Sequence, residues 1–452
     1  MPVSPTYAVD ITVTTTNDVL DAAGGTCAAV TVASLPGPDG VTSLREAMCA
    51  ANNNPGSDTV RFNIPGCGGV CTIRPTIALP VLTGDGTTID GYTQPGSAEA
   101  TAGAPATLLI EIDGSSVLNN NGFNVASAGN VIRGLVVNRF GGSGIAIGLS
   151  TATGNTISGN HVGTNAAGTA GLGNGLDGVF IGLGAQDNTV GGDTPADRNV
   201  ISGNGLEGVA IHRSDTVSNT VRGNYIGTDA AGTADVGNGR GVAIANGAHD
   251  NTVGPDNVVS WNDGNGVAIY DSGTTGNVVV DNYVGTDASG TADLGNRSYG
   301  VCINDGAQDN TVGPGNILSG NGWDGVGIYG SGTTGNVVSG NRIGTDGSGT
   351  VDLGNSLGGV LVSWGAQDNT IGPDNVISGN GQHGIFISED GTTGNTVSGN
   401  TIGADATGVI DLGNTWSGVQ IGWGAQGNTV GPDNTILVGQ NPVRVHAQLR
   451  LR

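Results

Sequence analysis

Lysine is missing from this 452-residue chain: all fourteen basic residues are arginines, set against 38 Asp and Glu for a net charge of −24. Chemistry through a lysine amine is thereby excluded, and an arginine would have to serve in any lyase-like reaction. A chain this acidic, with no basic stripe, also excludes nucleic acid as a partner. Its field repels an anionic polysaccharide unless divalent cations bridge the two. Long apolar runs are missing as well. No stretch approaches the ~20 apolar residues of a membrane span. The first residues, MPVSPTYAVDITVTTT, have neither a charged leading region nor an apolar one, so they do not read as a signal peptide. Either the chain is not exported or its leader has been removed.

Known chemical signatures are scarce. There is no G-x-S-x-G, Walker loop or H-E-x-x-H, and no EF-hand or glycine-rich calcium-roll nonapeptide. The five histidines (His161, His212, His249, His383, His446) are scattered, which suggests no metal cluster. Of five cysteines, Cys27, Cys49, Cys67 and Cys71 crowd the N-terminal segment and Cys302 stands alone. An even cluster fits one or two disulfides and an oxidising compartment; four buried thiols are the other reading.

What the chain has in excess is glycine, 86 residues, in a repeat. GNRIGTDGSGTVDLGN (residues 340–355) returns nearly unchanged from Gly223 and Asp281, and more loosely from Gly159 and Gly399. The glycine of its IGT motif falls at Gly163, Gly227, Gly285, Gly344 and Gly403, with spacings of 64, 58, 59 and 59. The first gap is stretched by the insertion GGDTPADR (residues 191–198). A finer G-[VI]-x-[VI] motif settles into alternating steps of 25 and 34, so each 59-residue unit is two turns of chain, one carrying about ten extra residues.

Locally the pattern is alternation: GVAI, NVISGN, GIFIS, NTVSGN. These are strands of three to five residues with β-branched side chains at every second place. Strands so short bury a face only by stacking in parallel, ~4.8 Å apart. The expected fold is therefore all-β: a single-stranded right-handed parallel β-helix with three short strands per coil and an N-terminal helical cap. Columns such as Val242, Val267, Val301, Val326, Val360 and Ile385 should fill its interior. Asparagines at 204, 224, 262, 282, 321, 341, 380 and 400 should form a hydrogen-bonded ladder at a fixed corner. TDASGTADLGN is then an extra loop thrown out on every second coil, the loops packing ~10 Å apart into a ridge.

Residues 1–56 read as a cap, 57–440 as the β-helix and 441–452 as a final cap strand. In TSLREAMCAANNN (residues 42–54), Ser43 and Glu46 make a capping box, with Leu44, Ala47 and Met48 available to face inward. The closing VRVHAQLRLR alternates apolar and cationic residues, an edge suited to capping or to end-to-end self-association. SLREA followed by AANNNPGSDTVRFNIPG resembles the N-terminal region of CSLREA-type bacterial surface proteins, though Thr42 stands where that motif has Cys. The later repeats resemble right-handed, pectin-lyase-like β-helix repeats. The resemblance implies export and a right-handed coil and brings no catalytic residues with it.

One column stands out by being irregular. Five residues beyond each motif glycine come Leu183, Arg213, Asn246, Asp271, Asp305, Gly330, Trp364, Glu389 and Trp423. Asp271 and Asp305 fall on adjacent coils, a separation suited to a retaining glycosidase pair, a shared proton or a Ca²⁺ site; Glu389 is a further catalytic candidate. With His212, Arg213, Tyr270 and Tyr329, the tryptophans Trp364 and Trp423 could stack on sugar rings. Trp323 and Trp416 read as covers over a corner. The loops present a second constellation, with Asp229, Asp287, Asp346 and Asp405 in one row and Asp235, Asp293, Asp352 and Asp411 in another. These read as structural turns or as a ridge for calcium, the one cofactor indicated. The expected role is an extracellular or cell-surface rod, structural, adhesive or filament-forming, in contact with a polysaccharide or surface glycan. The alternatives are a polysaccharide-active enzyme, hydrolase or lyase, around Asp271 and Asp305, and a non-catalytic carbohydrate-binding protein.

Overall fold

The computed structural model describes residues 8–117 and 119–437, and the backbone of 443–445. Contacts divide it into two units. The first holds the described part of Met1–Ala210 with Arg222–Tyr225 and Asp229–Ala231; the second holds Ile211–Val221, Ile226–Thr228 and Gly232–Arg452. Each is wound in the same way, as a parallel β-helix with three strands per coil. The hand is right-handed, as parallel crossover connections dictate. In the second unit one coil runs through Thr311–Val312, Ile317–Leu318 and Val326–Tyr329, and the next through Val337–Val338, Arg342–Ile343 and Val360–Ser363. Strands of two to four residues suffice because each pairs with equivalents above and below. Val242, Val267, Val301, Val326, Val360 and Ile385 stand in unbroken register and are fully buried, as the alternation predicts.

Polar residues hold the corners. Along one corner of the second unit run Asn219, Asn251, Asn277, Asn310, Asn336, Asn369, Asn395 and Asn428. Each Oδ1 accepts both the backbone N–H and the Nδ2–H of the asparagine before it, at 2.9–3.1 Å. A second ladder links Asn282, Asn316, Asn341, Asn375, Asn400 and Asn434, and a third links Asn262, Asn296, Asn321, Asn355, Asn380 and Asn414. The first unit carries shorter runs of all three: Asn130, Asn155 and Asn188; Asn160, Asn199 and Asn224; Asn174 and Asn204. The sequence reading of one ladder at one corner is thus corrected. Its asparagines belong to two corners, and a third corner has a ladder of its own.

The looped coils form the expected ridge by direct contact. The Gly347 amide donates to Gly290 O at 2.9 Å and the Ala406 amide to Gly349 O at 2.8 Å in the second unit; Ala230 donates to Gly168 O at 2.9 Å in the first. Gly349 is needed there: its φ is +74°, and a Cβ would lie 2.7 Å from that of Ala406.

At the front, the helix Leu44–Asn53 is capped as its sequence predicts, Ser43 Oγ accepting the Glu46 amide while the Glu46 carboxylate accepts the Ser43 amide. Every residue of SLREA has a task. Glu46 also accepts the amides of Asp21 and Ala22. Leu44 and Ala47 are buried in the core. Arg45, 5% exposed, makes a forked pair with Asp18 at 2.8 and 2.9 Å and donates to the Ile77 and Ala78 carbonyls. Disulfides join Cys27 to Cys49 and Cys67 to Cys71, while Cys302 is a buried free thiol. Strand pairing starts earlier than the reading of 1–56 as a cap implies, for Asp10–Val13 already pairs in parallel with Thr59–Phe62. At the other end Val443–Val445 pairs with Val419–Ile421; the rest of the amphipathic VRVHAQLRLR segment lies outside the described residues.

Asn310→Ala tests the ladder. It deprives the Asn277 amide and side chain of their shared acceptor and removes the donor to Thr274 O, Gln308 O and Asn336 Oδ1. Stranding that many buried groups should cost about 2–4 kcal/mol. Urea unfolding should show the loss, and a change below about 0.5 kcal/mol would mean the ladders are incidental.

Candidate functional site

The irregular column is irregular only in side chain. In backbone it is uniform: Leu183, Arg213, Asn246, Asp271, Asp305, Gly330, Trp364, Glu389 and Trp423 all have positive φ, between 52° and 94°. This corner closes the third strand of a coil, the third sheet being the stack of such strands as Val301–Asn304, Val326–Tyr329 and Val360–Ser363, and it needs the left-handed conformation. Asn, Asp and Gly adopt it readily; Trp, Leu, Arg and Glu do so at a cost of about 1–2 kcal/mol each. Residues here have no core to enter, and Trp364 and Trp423 are 60% and 69% exposed.

The residues read as catalytic separate. Asp271 and Asp305 follow the paired Tyr270 and Asn304 on adjacent rungs, and the Asp305 carboxylate accepts the side-chain Nδ2–H of Asn304 at 2.7 Å. Neither is enclosed, Asp305 being exposed and Asp271 half-buried. Glu389 lies three rungs beyond Asp305, roughly 14 Å at the spacing of parallel strands, so it is out of reach of the pair.

The aromatic strip resolves into three groups in the second unit. His212 meets Tyr270 edge-on at 6.2 Å between ring centres, with the Arg240 guanidinium 5.5 Å over Tyr270. Arg213 is exposed at its corner, two rungs from Asp271. Trp416, His383, Phe386 and Trp423 make a chain of contacts at 5.0–5.2 Å. Between these lies another group of four rings: Trp323 against Tyr299 at 5.0 Å, Tyr299 against Tyr329 at 5.7 Å, and Tyr329 against Trp364 at 5.3 Å. Trp323 is therefore more than a corner cover, being a member of this chain and 46% exposed.

The strands explain the geometry of this central group. Val301–Asn304, Val326–Tyr329 and Val360–Ser363 alternate, so Val and Ile point inward and the intervening positions outward. One outward position is Gly327. A Cβ there would stand 2.7–3.1 Å from the Tyr299 ring, so glycine lets that ring lie across the strand. Cys302 is outward too, yet sealed beneath the rings. Its thiol contacts the Tyr329 hydroxyl at 3.4 Å and Asn304 Oδ1 at 3.6 Å, and burial pushes its pKa up to about 12, too high for reactivity. Asp324, 5% exposed, accepts the Gly358 amide at 2.8 Å, and burial raises its pKa to about 6. Burial likewise holds the Tyr299 and Tyr329 phenols above their ordinary value, with the Asp324 and Cys302 neighbours adding to the effect. The face thus has two tryptophans at its ends and hydroxyl, amide and carboxyl groups between them.

Tyr299 and Asp324 were missed by the corner column because both sit immediately before a motif glycine, at Gly300 and Gly325. That position is a second irregular column, and inspecting it would have found them. It also holds Asp177 and Glu207 in the first unit, both buried. Burial and a hydrogen bond with Glu207 raise Asp177 to about 7, while Ser143 Oγ donates to its Oδ2 at 3.1 Å.

The loop aspartates, read from the sequence as structural turns or as a ridge for calcium, fold back on their own turns. Asp287 Oδ1 accepts the amides of Thr291 and Ala292 and its Oδ2 the Ser289 hydroxyl; Asp346 repeats this with Thr350, Val351 and Ser348. Burial alone would raise both, but these donors outweigh it and hold them below the ordinary carboxylate value. In the second row Asp293 accepts the Gly295 amide; burial raises Asp235, helped by the charge of Asp263, and burial also raises Asp352. Asp229 sits in the loop that hydrogen-bonds Gly168 through Ala230. Among the described residues no three His, Cys, Asp or Glu side chains come together to hold a metal ion.

No protein-family model matches the chain, and no curated protein does. Solved structures similar to it include the A-module of the Azotobacter vinelandii mannuronan C-5 epimerase AlgE4, at 19% identity over 89% of this chain and 93% of that one, TM-score 0.48. The Dettilon tailspike protein is similar at 17% identity over 86% and 65%, TM-score 0.48. DFA-IIIase from Arthrobacter chlorophenolicus A6, without its lid, is similar at 13% over 89% and 92%, TM-score 0.41. Likenesses of this size leave the function to be argued from the chain's own residues. Among the described residues no helix is long and apolar enough to cross a membrane.

Asp324 gives the site a pH signature. The folded state holds this proton more tightly than the unfolded chain, so stability falls as pH rises from the ordinary carboxylate value to about 6. Asp324→Asn should raise the melting temperature at pH 8, by up to about 3 kcal/mol in stability, and converge with wild type near pH 4. Equal melting temperatures at pH 8 would count against a buried, destabilised carboxylate.

Proposed function

We propose that this chain is a carbohydrate-binding β-helix of an extracellular or cell-surface setting, and that a neutral polysaccharide lies across the rings of Trp323, Tyr299, Tyr329 and Trp364. The carrying observation is the unbroken run of four rings on neighbouring rungs, ending in tryptophans 46% and 60% exposed. Large exposed aromatics mark binding surfaces, because a rigid apolar face with a polar tip gains contact area at little entropic cost. Sugar rings present C–H faces to stack and hydroxyls to hydrogen-bond, which the neutral phenols and Asn304 can meet. A neutral glycan also fits a chain of net charge −24, which repels acidic polymers. The two disulfides support an oxidising, extracytoplasmic compartment. The SLREA region's resemblance to bacterial surface proteins points the same way, and in that setting the molecule presents glycan-contacting rungs as an adhesive or structural element.

Polysaccharide cleavage is a second reading, kept by one observation: Asp271 and Asp305 follow paired residues on adjacent rungs. The two readings part on turnover. A glycan array should show binding to neutral polysaccharide, weakened at least tenfold by Trp364→Ala and by Trp323→Ala and unchanged by Asp271→Asn. Product release from the bound glycan, lost in Asp271→Asn, would favour the enzyme. Wild-type affinity in both tryptophan variants would overturn the proposed face.

A further inference from the structure

The first unit has a pocket of a different kind, built where the sequence leaves its repeat. The insertion at residues 191–198 ends in a short turn, Pro195–Asp197, that places Arg198 just ahead of the strand Val200–Ile201. Opposite it stands a hairpin outside the repeats, closed by the Ala98–Thr107 and Thr101–Ala104 bridges. Between them lies a cavity of about 230 Å³, walled by that hairpin and by Ala230 and Ala231, with His161, Val200 and Tyr225 as floor.

Arg198 is the exception among its peers. The other six arginines of this unit, at 45, 61, 74, 133, 139 and 222, each reach a carboxylate within 4.0 Å. Arg198 reaches none among the described residues. Its neighbour Asp197 is taken by the hydroxyl and amide of Thr194. Its guanidinium lies 4.2 Å over the Tyr225 ring, and its buried Nε has no hydrogen-bond partner. His161 lines the same cavity and is 2% exposed, and its Nδ1 is likewise unpartnered. The backbone of Asn165 and Ala166 lies near the ring without meeting hydrogen-bond geometry. Burial lowers its pKa to about 4, so at neutral pH the imidazole is uncharged and Arg198 is the only charged group lining the cavity.

We infer that this pocket binds a small organic acid: one carboxylate for Arg198, and a compact body no larger than a single sugar ring between the alanine walls and Tyr225. An oriented guanidinium stacked on an aromatic ring favours a planar carboxylate through its fork of donors. The cavity is smaller than those that hold drug-sized ligands, which sets the size of the body. In an acidic chain a lone unpaired arginine is also the one local attraction for an anion.

Calorimetric titration of the full chain with D-glucuronate, D-glucose and acetate tests the assignment. Glucuronate should bind saturably and at least about tenfold tighter than either of the others. Arg198→Gln should lose at least about tenfold for glucuronate, while Arg342→Gln, in the second unit, binds as wild type. Ala102→Trp on the exposed hairpin should block binding without touching Arg198, which guards against a folding defect in the first variant. No saturation with glucuronate, glucose or acetate binding as tightly, or unchanged affinity in Arg198→Gln would each overturn the inference.

Discussion

The asparagine amide is the group on which this structure rests. A coil of some thirty residues turns three corners, and at each one backbone donors face inward where no water can meet them. One side chain answers both needs. Its Oδ1 takes the amide and side-chain protons of the asparagine one rung away, and its Nδ2 serves carbonyls at its own corner, as Asn310 does for Thr274 and Gln308. Stacked amides in a dry interior are all-or-none, because every member is both donor and acceptor for the next. The 59-residue period follows from this, since the asparagines can meet only if each coil returns the chain to the same place.

That constraint divides the molecule by chemistry. Inside, the columns of Val, Ile and Asn have little freedom. Outside, the midpoints of the third sheet, the left-handed corner and the position before each motif glycine are free to vary, and there the side chains differ from rung to rung. Tyr299, Trp323, Tyr329 and Trp364 occupy four kinds of outward position yet meet as one surface, because rungs ~4.8 Å apart bring ring centres within 5–6 Å of each other. Gly327 contributes by leaving space for the Tyr299 ring.

Charge follows the same division. Loop aspartates such as Asp287 and Asp346 are bound by their own amides and hydroxyls, and so serve as staples of the ridge. Carboxyls on the outer face of the third sheet, Asp177 and Asp324, are instead desolvated by their neighbours and hold a proton at higher pH. The same residue type fixes a loop in one place and leaves a weaker acid on the sheet face in the other, and the balance of hydrogen-bond donors against burial decides between them.

The sequence by itself determined the winding, the inward valines, the looped coil and the capped helix. Each of these depends on local spacing or on a period, and a period is visible without coordinates. It also marked the corner from Leu183 to Trp423 as special, through its side-chain irregularity. Only the tertiary structure decided that this corner is a backbone requirement for positive φ, that Glu389 stands apart from Asp305, and that the loop aspartates turn back on their own amides. The same holds for the meeting of Tyr299 with Tyr329 and of Arg198 with Tyr225, residues 30 and 27 positions apart in the chain. Such partnerships depend on which way a side chain leaves its rung and on what its neighbours leave uncovered, and neither is written in a repeat.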